Sequence, residues 1–331
     1  MHIFYSETHK LHNPEQDWEV AQRAEVILAA LMAARVGEVR SPADFGMLPI
    51  TAVHAPEMIE LLQSAYARMQ DELPTAAVVP NCFAVRHLGS RLPQTIWGRL
   101  GYYCTDSTTP ILADTWPAAY WSAQVALSAA QDVLHYGGTA YALCRPPGHH
   151  AYADLYGGYC YLNNAAIAAH WLTQQQKRVA IVDVDYHHGN GTQAIFYGRD
   201  DVLFCSIHAD PDQEYPFYCG FGHERGDGVG YGRNLNYPLP LGTTGADYLD
   251  IVSQALDAVV RYAPDILLIS LGVDTAVGDP NGTFHLITSD FSTMGRLFAV
   301  LEMPCVVIQE GGYRLDTLGA DVVAFLTGLS S

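Results

Sequence analysis

The sequence has 331 residues, and 49% of them are hydrophobic, so the chain is long enough to bury a large core. Its 17 basic and 35 acidic residues give a formal net charge of −18. This charge disfavours nucleic acid and anionic membrane surfaces as partners, and it favours cationic ligands.

The N-terminal residues show no basic region followed by an apolar stretch, so we expect no secretory signal. The longest apolar runs are too short to span a membrane. The seven cysteines are odd in number, and their spacing fits neither a zinc ribbon nor a disulfide framework. We therefore expect reduced thiols and a cytoplasmic protein.

The first part of the chain combines two helices with a long irregular stretch. Apolar residues at helical spacing predict helices over residues 17–36 and 54–73. Residues 74–115 are rich in proline, glycine and aromatic side chains and show no clear period. Such a loop insertion either serves binding or oligomer contacts or is a variable surface loop.

From residue 117 onwards, helices alternate with short strands rich in Val, Ile and Leu. Helices are predicted over residues 117–136, 163–176, 246–262, 289–301 and 316–326, and strands over 140–144, 178–183, 202–207, 265–271 and 304–309. This alternation predicts an α/β fold with a mostly parallel sheet covered by helices on both faces. We find no linker or repeat, so residues 1–331 are expected to form a single domain.

Polar residues follow four of the predicted strands, at the edge where parallel sheets bind ligands. They are His149 and His150 after residues 140–144; Asp183, Asp185 and His187 at the end of residues 178–183; Asp274 after 265–271; and Tyr313 after 304–309. Each type has a use in metal-assisted hydrolysis, and a chance arrangement of this kind is rare.

The chemistry of these residues suggests a role for each. Asp185, His187 and Asp274 supply three ligands for a zinc ion and leave positions open for water and a substrate carbonyl. His149 and His150 offer a base for the water and an acid for a leaving amine. Tyr313 can hydrogen-bond a developing oxyanion.

Structural alternatives exist for single residues. Asp183 is better placed to fix a histidine tautomer than to bind zinc. Asp274 can be a helix N-cap, Tyr313 a core residue, and the histidine pair purely structural. The functional reading is favoured because these alternatives would all have to coincide at one sheet edge.

The motifs together resemble the histone deacetylase superfamily. They are Arg-Pro-Pro-Gly-His149-His150-Ala, Gly-Gly-Tyr159-Cys-Tyr-Leu-Asn-Asn, Asp183-Val-Asp185-Tyr-His187-His-Gly, Leu-Gly-Val-Asp274 and Glu-Gly-Gly-Tyr313. The chain looks most like the bacterial acetylpolyamine amidohydrolases and histone deacetylase-like amidohydrolases. This resemblance implies an arginase-deacetylase fold with an eight-stranded sheet, and a homodimer formed through the insertion at residues 74–115.

The resemblance also implies individual roles. His150 would be the general base and acid, with His149 an electrostatic partner held by Asp183, and Tyr313 would polarise the scissile carbonyl. Zinc, or Fe²⁺, would bind at the three ligands named above. A structural potassium ion would use Asp183, Ser206 and Ile207, with the backbone of Asp185 and His187. Gly158, Tyr159 and Tyr215 would line the substrate tunnel.

Several positions depart from the wider superfamily pattern. Asn190 stands where many eukaryotic members have an aspartate that supports the second histidine, and the polyamine branch shares this asparagine. Tyr103 occupies the loop position of an aspartate that grips protein substrates. Trp97, Thr108 and Asn281 stand where polyamine enzymes have acidic residues.

These departures leave the substrate open. The preferred hypothesis is a zinc-dependent deacetylase that hydrolyses the amide of N-acetylated amines, with a small cationic acetylpolyamine as substrate. The positive end of such a substrate would be met by the overall charge or by acids such as Asp106, Asp210, Asp212 or Glu214. The alternatives are a deacylase of acyl-lysine in proteins or of another small amide, a catalytically silent polyamine-binding protein, and a two-manganese enzyme.

Overall fold

A computed structural model describes residues 1–14, 18–86, 88–89 and 91–331 of the chain. The strands are β1 (His2–Phe4), β2 (Glu38–Arg40), β3 (Thr139–Ala142), β4 (Val179–Asp183), β5 (Val202–Ala209), β6 (Asn234–Leu239), β7 (Ile266–Leu271) and β8 (Cys305–Gln309). The helices are α1 (Gln22–Ala34), α2 (Leu48–Thr51), α3 (Pro56–Glu72), α4 (Ile96–Tyr102), α5 (Thr115–Tyr136), α6 (Asn164–Gln174), α7 (Asn190–Phe196), α8 (Gly245–Tyr262), α9 (Thr288–Ala299) and α10 (Leu315–Leu329).

Among the described residues, the strands form one eight-stranded sheet in the order β2-β1-β3-β8-β7-β4-β5-β6. Each pairing between neighbouring strands is parallel. The predicted α/β class with a parallel sheet is therefore confirmed. Strands β3, β8, β7 and β4, which carry the motif residues at their carboxyl ends, are neighbours in space.

Both faces of the sheet are buried, which explains why its central strands are apolar throughout. In β4, Ala180 and Val182 face a core built with α1, α8, α9 and α10, whereas Val179 and Ile181 face the opposite core with α5, α6 and α7. Successive side chains of a strand point to opposite faces, so a sheet covered on both sides needs apolar residues at every position.

The insertion at residues 74–115 packs outside α5 and is more ordered than its sequence suggests. It contains the short helix α4, and its side chains Val78, Leu100 and Ile111 join a third apolar cluster with α3 and α5. The interpretation of this segment as irregular was therefore wrong for residues 96–102. Residues 87 and 90 of the insertion lie outside the described residues.

Most of the predicted elements match, within a few residues, the elements that the structure contains. The predicted helix over residues 17–36 corresponds to α1, although residue 17 lies outside the described part of the chain. The sequence reasoning missed β1, β2 and β6 and the short helices α2, α4 and α7. Strands β1 and β2 have three residues each, and β6 contains Pro238 at the edge of the sheet, so none gives a recognisable pattern.

The helices of the described residues include none that combines the length and the apolar character needed to cross a membrane.

Candidate active site

The carboxyl ends of β4 and β7 bring together three side chains that point to a common centre. Asp185 and His187 follow β4, and Asp274 follows β7, the neighbouring strand. One ligand atom from each lies within 4.8 Å of those of the other two. His187 Nδ1 is 3.4 Å from Asp185 Oδ1 and 3.3 Å from Asp274 Oδ2.

These donor atoms fit a divalent metal ion. Asp274 Oδ2 is buried and has no hydrogen-bond donor in the described structure, although a buried carboxylate oxygen normally has one. Burial and the nearby charge of Asp185 raise the pKa of Asp274 to about 7. A cation at the centre of the group removes this conflict, and two carboxylates with one imidazole are ligands that zinc accepts.

The second oxygen of each carboxylate is held by the protein backbone. Asp185 Oδ2 accepts a hydrogen bond from the amide of Gly311 at 2.8 Å. Asp274 Oδ1 accepts one from the amide of Tyr186 at 3.0 Å. These contacts fix the orientation of both side chains, so the group is preorganised for a ligand.

His149 and His150 lie beside this group with ring centroids 4.0 Å apart, but they have different partners. His149 Nδ1 is 2.9 Å from Asp183 Oδ2, whereas His150 Nδ1 is 2.6 Å from Asn190 Oδ1. One histidine is therefore paired with a carboxylate and the other with a neutral amide.

The two partners separate the protonation states of the pair. Burial lowers the pKa of His149, but the charges of Asp185 and Asp183 outweigh it and raise that pKa to about 10. Burial and the charge of the adjacent His149 hold the pKa of His150 well below its usual value. At neutral pH, His149 is a cation and His150 is a neutral base.

Tyr313 reaches the site through a loop that long-range contacts hold in place. Its amide donates to Asp279 Oδ2 at 2.7 Å, and the backbone at Gly312 adopts a positive φ of 116° that favours glycine. The guanidinium carbon of Arg23 lies 4.5 Å from the centroid of the Tyr313 ring.

Arg23 also ties this loop to α1. Its Nε donates to the Gly312 carbonyl and its Nη2 to the Glu310 carbonyl, each at 2.6 Å. Its Nη1 lies 2.8 Å from Glu19 Oε1, and Arg145 Nε is at the same distance from that oxygen. This buried cluster of Glu19, Arg23 and Arg145 therefore holds the loop that carries Tyr313.

Glu310 connects the Tyr313 loop with the histidine pair. Its Oε2 accepts hydrogen bonds from the amides of Gly148 and His149 at 2.6 and 3.2 Å. The Glu-Gly-Gly-Tyr motif does not reveal this role of Glu310 in the sequence, and no motif marks Arg23 or Asp279. Their partners lie far away in the sequence, so no local pattern reveals them.

His187 of the metal-ligand group and His150 of the histidine pair line a cavity of about 330 Å³. Its walls come from several loops at the carboxyl edge of the sheet. The lining residues are Thr108, His150, Gly158, Tyr159, His187, Glu214, Tyr215, Pro280, Asn281, Gly282, Thr283 and Tyr313.

One wall of the cavity is formed by a strained turn at Gly158 and Tyr159. Tyr159 has a positive φ of 66°, which is uncommon for a residue other than glycine. Its amide donates to Thr109 Oγ1 at 3.0 Å, and the Gly158 amide donates to Asp106 Oδ2 at 2.6 Å. A side chain at Gly158 would overlap the His150 ring.

The predicted substrate residues are placed unequally by the structure. Gly158, Tyr159, Tyr215 and Asn281 line the cavity. Tyr103 does not, because its side chain is buried in the apolar cluster of α3, α4 and α5.

The acidic residues proposed to meet a cationic ligand differ in whether they line the cavity. Glu214 lines the cavity, whereas Asp210 and Asp212 do not. Asp106 holds the turn at Gly158.

The residues predicted for potassium lie next to each other across two strands. Asp183 on β4 is paired in register with Ser206 on β5, and Ile207 follows it. Ser206 Oγ lies 2.8 Å from His208 Nδ1, and Asp183 Oδ1 accepts from the Asp185 amide at 3.1 Å.

We predict that Gly311→Ala impairs metal binding. A Cβ at this position would overlap Asp274 Oδ2 and Asp185 Oδ2, so both ligands would have to move. The expected result is a loss of metal affinity of about 10- to 100-fold, measured by elemental analysis after dialysis against graded chelator. Gly198→Ala is the control, because a Cβ there meets no atom within 4 Å. Equal metal retention in both variants would contradict the prediction.

Comparisons with known proteins agree with this arrangement. The family model described as the histone deacetylase domain matches residues 17–329. Acetylpolyamine amidohydrolase 1 of Pseudomonas aeruginosa is 47% identical, with 98% of this chain and 97% of that protein covered. The acetylpolyamine amidohydrolase of Mycoplana ramosa is 38% identical, with both chains covered to 100%. The crystal structure of an acetylpolyamine aminohydrolase from Burkholderia pseudomallei superposes with a TM-score of 0.95 at 40% identity, covering 100% and 99% of the two chains. The chain therefore belongs to the histone deacetylase family.

Proposed function

We propose that this protein is a zinc-dependent amidohydrolase that removes acetyl or another short acyl group from a small cationic amine, with acetylpolyamines as its substrates. The observation that carries the proposal is the meeting of a three-ligand metal group, a neutral histidine and a tyrosine hydroxyl around one cavity. The names of the similar proteins support the choice of substrate.

Asp185, His187 and Asp274 would hold the metal, and zinc or Fe²⁺ fits their donor atoms. A divalent ion bound there supplies Lewis acidity, which makes water more acidic and polarises a carbonyl group. A structural potassium ion at Asp183, Ser206 and Ile207 is part of the proposal and rests on the family resemblance. Elemental analysis of purified protein would identify both ions.

In this mechanism His150 moves the proton. Its Nδ1 faces Asn190, so its Nε2 is directed away from that contact and can accept a proton from the attacking water. The same nitrogen then gives the proton to the leaving amine. The charges of Asp185 and Asp183 raise the pKa of His149, and its protonated ring would place a positive charge beside the developing negative charge.

Tyr313 donates a hydrogen bond to the carbonyl oxygen of the substrate. Burial raises the pKa of its phenol well above the usual value, so the hydroxyl keeps its proton at neutral pH. The Gly312 and Arg23 contacts hold the ring on the cavity wall, opposite the Tyr159 ring at a centroid distance of 5.8 Å. A donor that is already fixed in place stabilises a developing oxyanion more than a donor that must first be ordered.

We propose that Glu214 recognises the distal ammonium group of the substrate. Glu214 lines the cavity, and its two carboxylate oxygens accept from the Tyr215 amide at 3.0 Å and the Tyr186 hydroxyl at 3.1 Å. Each oxygen therefore keeps a further lone pair for a ligand, since a carboxylate offers about four acceptor positions.

We further propose that two copies of the chain associate through the insertion at residues 74–115. Val85 and Leu88 of this segment are exposed, with 61% and 52% of their surface accessible to solvent. They lie at a surface depression that also includes Tyr102 and Leu155, so their apolar side chains extend a partly apolar patch.

The free cysteines support a location in the reducing cytoplasm.

Replacing Tyr313 tests the mechanism. Tyr313→Phe removes one hydroxyl from the cavity wall and should lower kcat for N-acetylputrescine by about 10²- to 10³-fold, because one oxyanion donor is lost. The far-ultraviolet circular dichroism and the metal content should stay unchanged. The exposed Tyr231→Phe serves as the control. Near-normal turnover of Tyr313→Phe would refute the assigned role.

Replacing Glu214 tests the substrate class. Glu214→Gln should raise KM for N-acetylputrescine about tenfold, the effect of losing one charge contact worth about 1.4 kcal/mol. The KM for N-pentylacetamide, which has the same length and no charge, should not change. Asp212→Asn removes one charge from the same loop outside the cavity and is the control. A similar rise in KM for both substrates would exclude ammonium recognition by this residue.

Charging the exposed patch tests association. The double variant Val85→Asp/Leu88→Asp should sediment as a monomer where the wild-type protein sediments as a dimer, because two charges cannot be buried in an apolar contact. Val300→Asp introduces a charge at another exposed valine and should leave the dimer intact. A dimeric double variant would place the interface elsewhere.

A further inference from the structure

A chain of polar contacts leads from His150 away from the cavity. After the contact between His150 Nδ1 and Asn190 Oδ1, Asn190 Nδ2 donates to the hydroxyl of Tyr152 at 3.1 Å. The same hydroxyl lies 3.8 Å from Cys219 Sγ, within hydrogen-bonding range for sulfur. Neither Tyr152 nor Cys219 lines the cavity.

The orientation of the Asn190 amide decides which nitrogen of His150 is free. A neutral imidazole carries one proton, so a His150 that donates from Nδ1 to Oδ1 leaves Nε2 as the base. If the amide turned end for end, Nδ2 would face Nδ1 and the ring proton would move to Nε2. An amide has nearly the same shape in both orientations, so its other contacts must select one.

Tyr152 selects the orientation of the Asn190 amide, because its one hydroxyl proton can be donated to Cys219 Sγ and not to Asn190. The thiol is a weak donor and the phenol a stronger one, so the Tyr152 proton is directed to Cys219 Sγ. The phenol oxygen then meets Asn190 as an acceptor, which suits Nδ2 and not Oδ1. Burial raises the pKa of Cys219 to about 11, so the sulfur is an uncharged thiol at neutral pH.

The backbone of Tyr152 is fixed independently of these side-chain contacts. Its amide donates to the Leu155 carbonyl at 2.8 Å, and its carbonyl lies 2.9 Å from Nδ1 of His54. The other ring nitrogen of His54 accepts from the Asn163 amide at 2.9 Å. His54 is buried, and burial lowers its pKa to about 4, so it is neutral and can make both contacts at once.

We propose that Tyr152 is a positioning residue that, together with Cys219, fixes the amide of Asn190 and thereby the tautomer in which His150 acts as a base. This inference rests on the proposed function for its kinetic consequence. The tautomer itself is a property of the folded protein and can be measured without substrate.

The first experiment is a double-mutant cycle on the metal-loaded enzyme. Tyr152→Phe removes one oxygen and should lower kcat for N-acetylputrescine about tenfold with little change in KM, since it acts on the base and not on substrate binding. In an Asn190→Asp background the same substitution should change kcat by less than about twofold, because a carboxylate presents an acceptor to His150 in either orientation. Cys219→Ala should act in the same direction as Tyr152→Phe, because the acceptor of the Tyr152 proton is lost.

The second experiment observes the ring nitrogens directly. Nitrogen NMR of protein labelled with ¹⁵N-histidine distinguishes protonated from unprotonated ring nitrogens, and His150→Ala identifies the His150 signals. We expect the proton on Nδ1 in the wild-type protein and a population with the proton on Nε2 in Tyr152→Phe. This readout decides the matter even if the protein hydrolyses no acylated amine, an outcome that would refute the proposed function alone.

Two results would overturn the positioning role. One is an equal loss of kcat from Tyr152→Phe in the wild-type and Asn190→Asp backgrounds, which would show that the tyrosine acts through packing. The other is an unchanged His150 tautomer in Tyr152→Phe.

Discussion

The need to hold several carboxylates out of water at one edge of the sheet shapes this part of the molecule. Asp183, Asp185, Asp274 and Glu310 are each at most 1% exposed. Burying an ionised carboxylate costs several kcal/mol unless hydrogen bonds or positive charges compensate for it. The backbone amides of Gly148, Tyr186 and Gly311 and the ring of His149 provide part of this compensation. What remains is a negative centre at Asp185 and Asp274, which explains why a cation suits that position.

The same constraint explains the difference between the two histidines. Their rings are 4.0 Å apart, and two positive charges at that distance would repel each other strongly. The carboxylate of Asp183 favours the charge on His149, and the neutral amide of Asn190 lets His150 remain uncharged. A second carboxylate at position 190 would favour the charge on His150 more strongly. The neutral amide thus favours a free base, but an amide must also be oriented, which a carboxylate need not be.

The sequence was sufficient for the parts of the structure that depend on local pattern. The apolar run of β4 predicted a buried strand with Asp183, Asp185 and His187 at its carboxyl end, and the order of the strands in the structure places Asp274 beside them. The three-residue strands β1 and β2 and the edge strand β6 were not predicted, because three residues, or a strand with an internal proline, carry too little periodicity.

Contacts between residues that are distant in the sequence could not be predicted, for a different reason. Arg23 on α1 donates to the carbonyl groups of Glu310 and Gly312, which are almost the whole chain away. Nothing near Arg23 in the sequence marks it, because a buried arginine on a helix is recognised by its partners and not by its neighbours. Tyr103 shows the opposite case, since a residue at a position suggestive of substrate contact instead packs into a core.

Negative charge can act on a cationic ligand in two ways: it can attract the ligand from solution, and it can determine where the ligand binds. The formal −18 can attract a cation from solution, but salt screens this attraction beyond about 8 Å at physiological ionic strength, so it does not select where a ligand binds. In the buried cluster beside the Tyr313 loop, the Glu19 carboxylate contacts both Arg23 and Arg145, so this cluster carries no net negative charge that could hold a cation. Glu214 differs because it lines the cavity and its described partners, a backbone amide and a hydroxyl, are uncharged. In the proposed function, Glu214 would therefore select a cationic substrate, whereas the acidic surface would affect the rate of encounter.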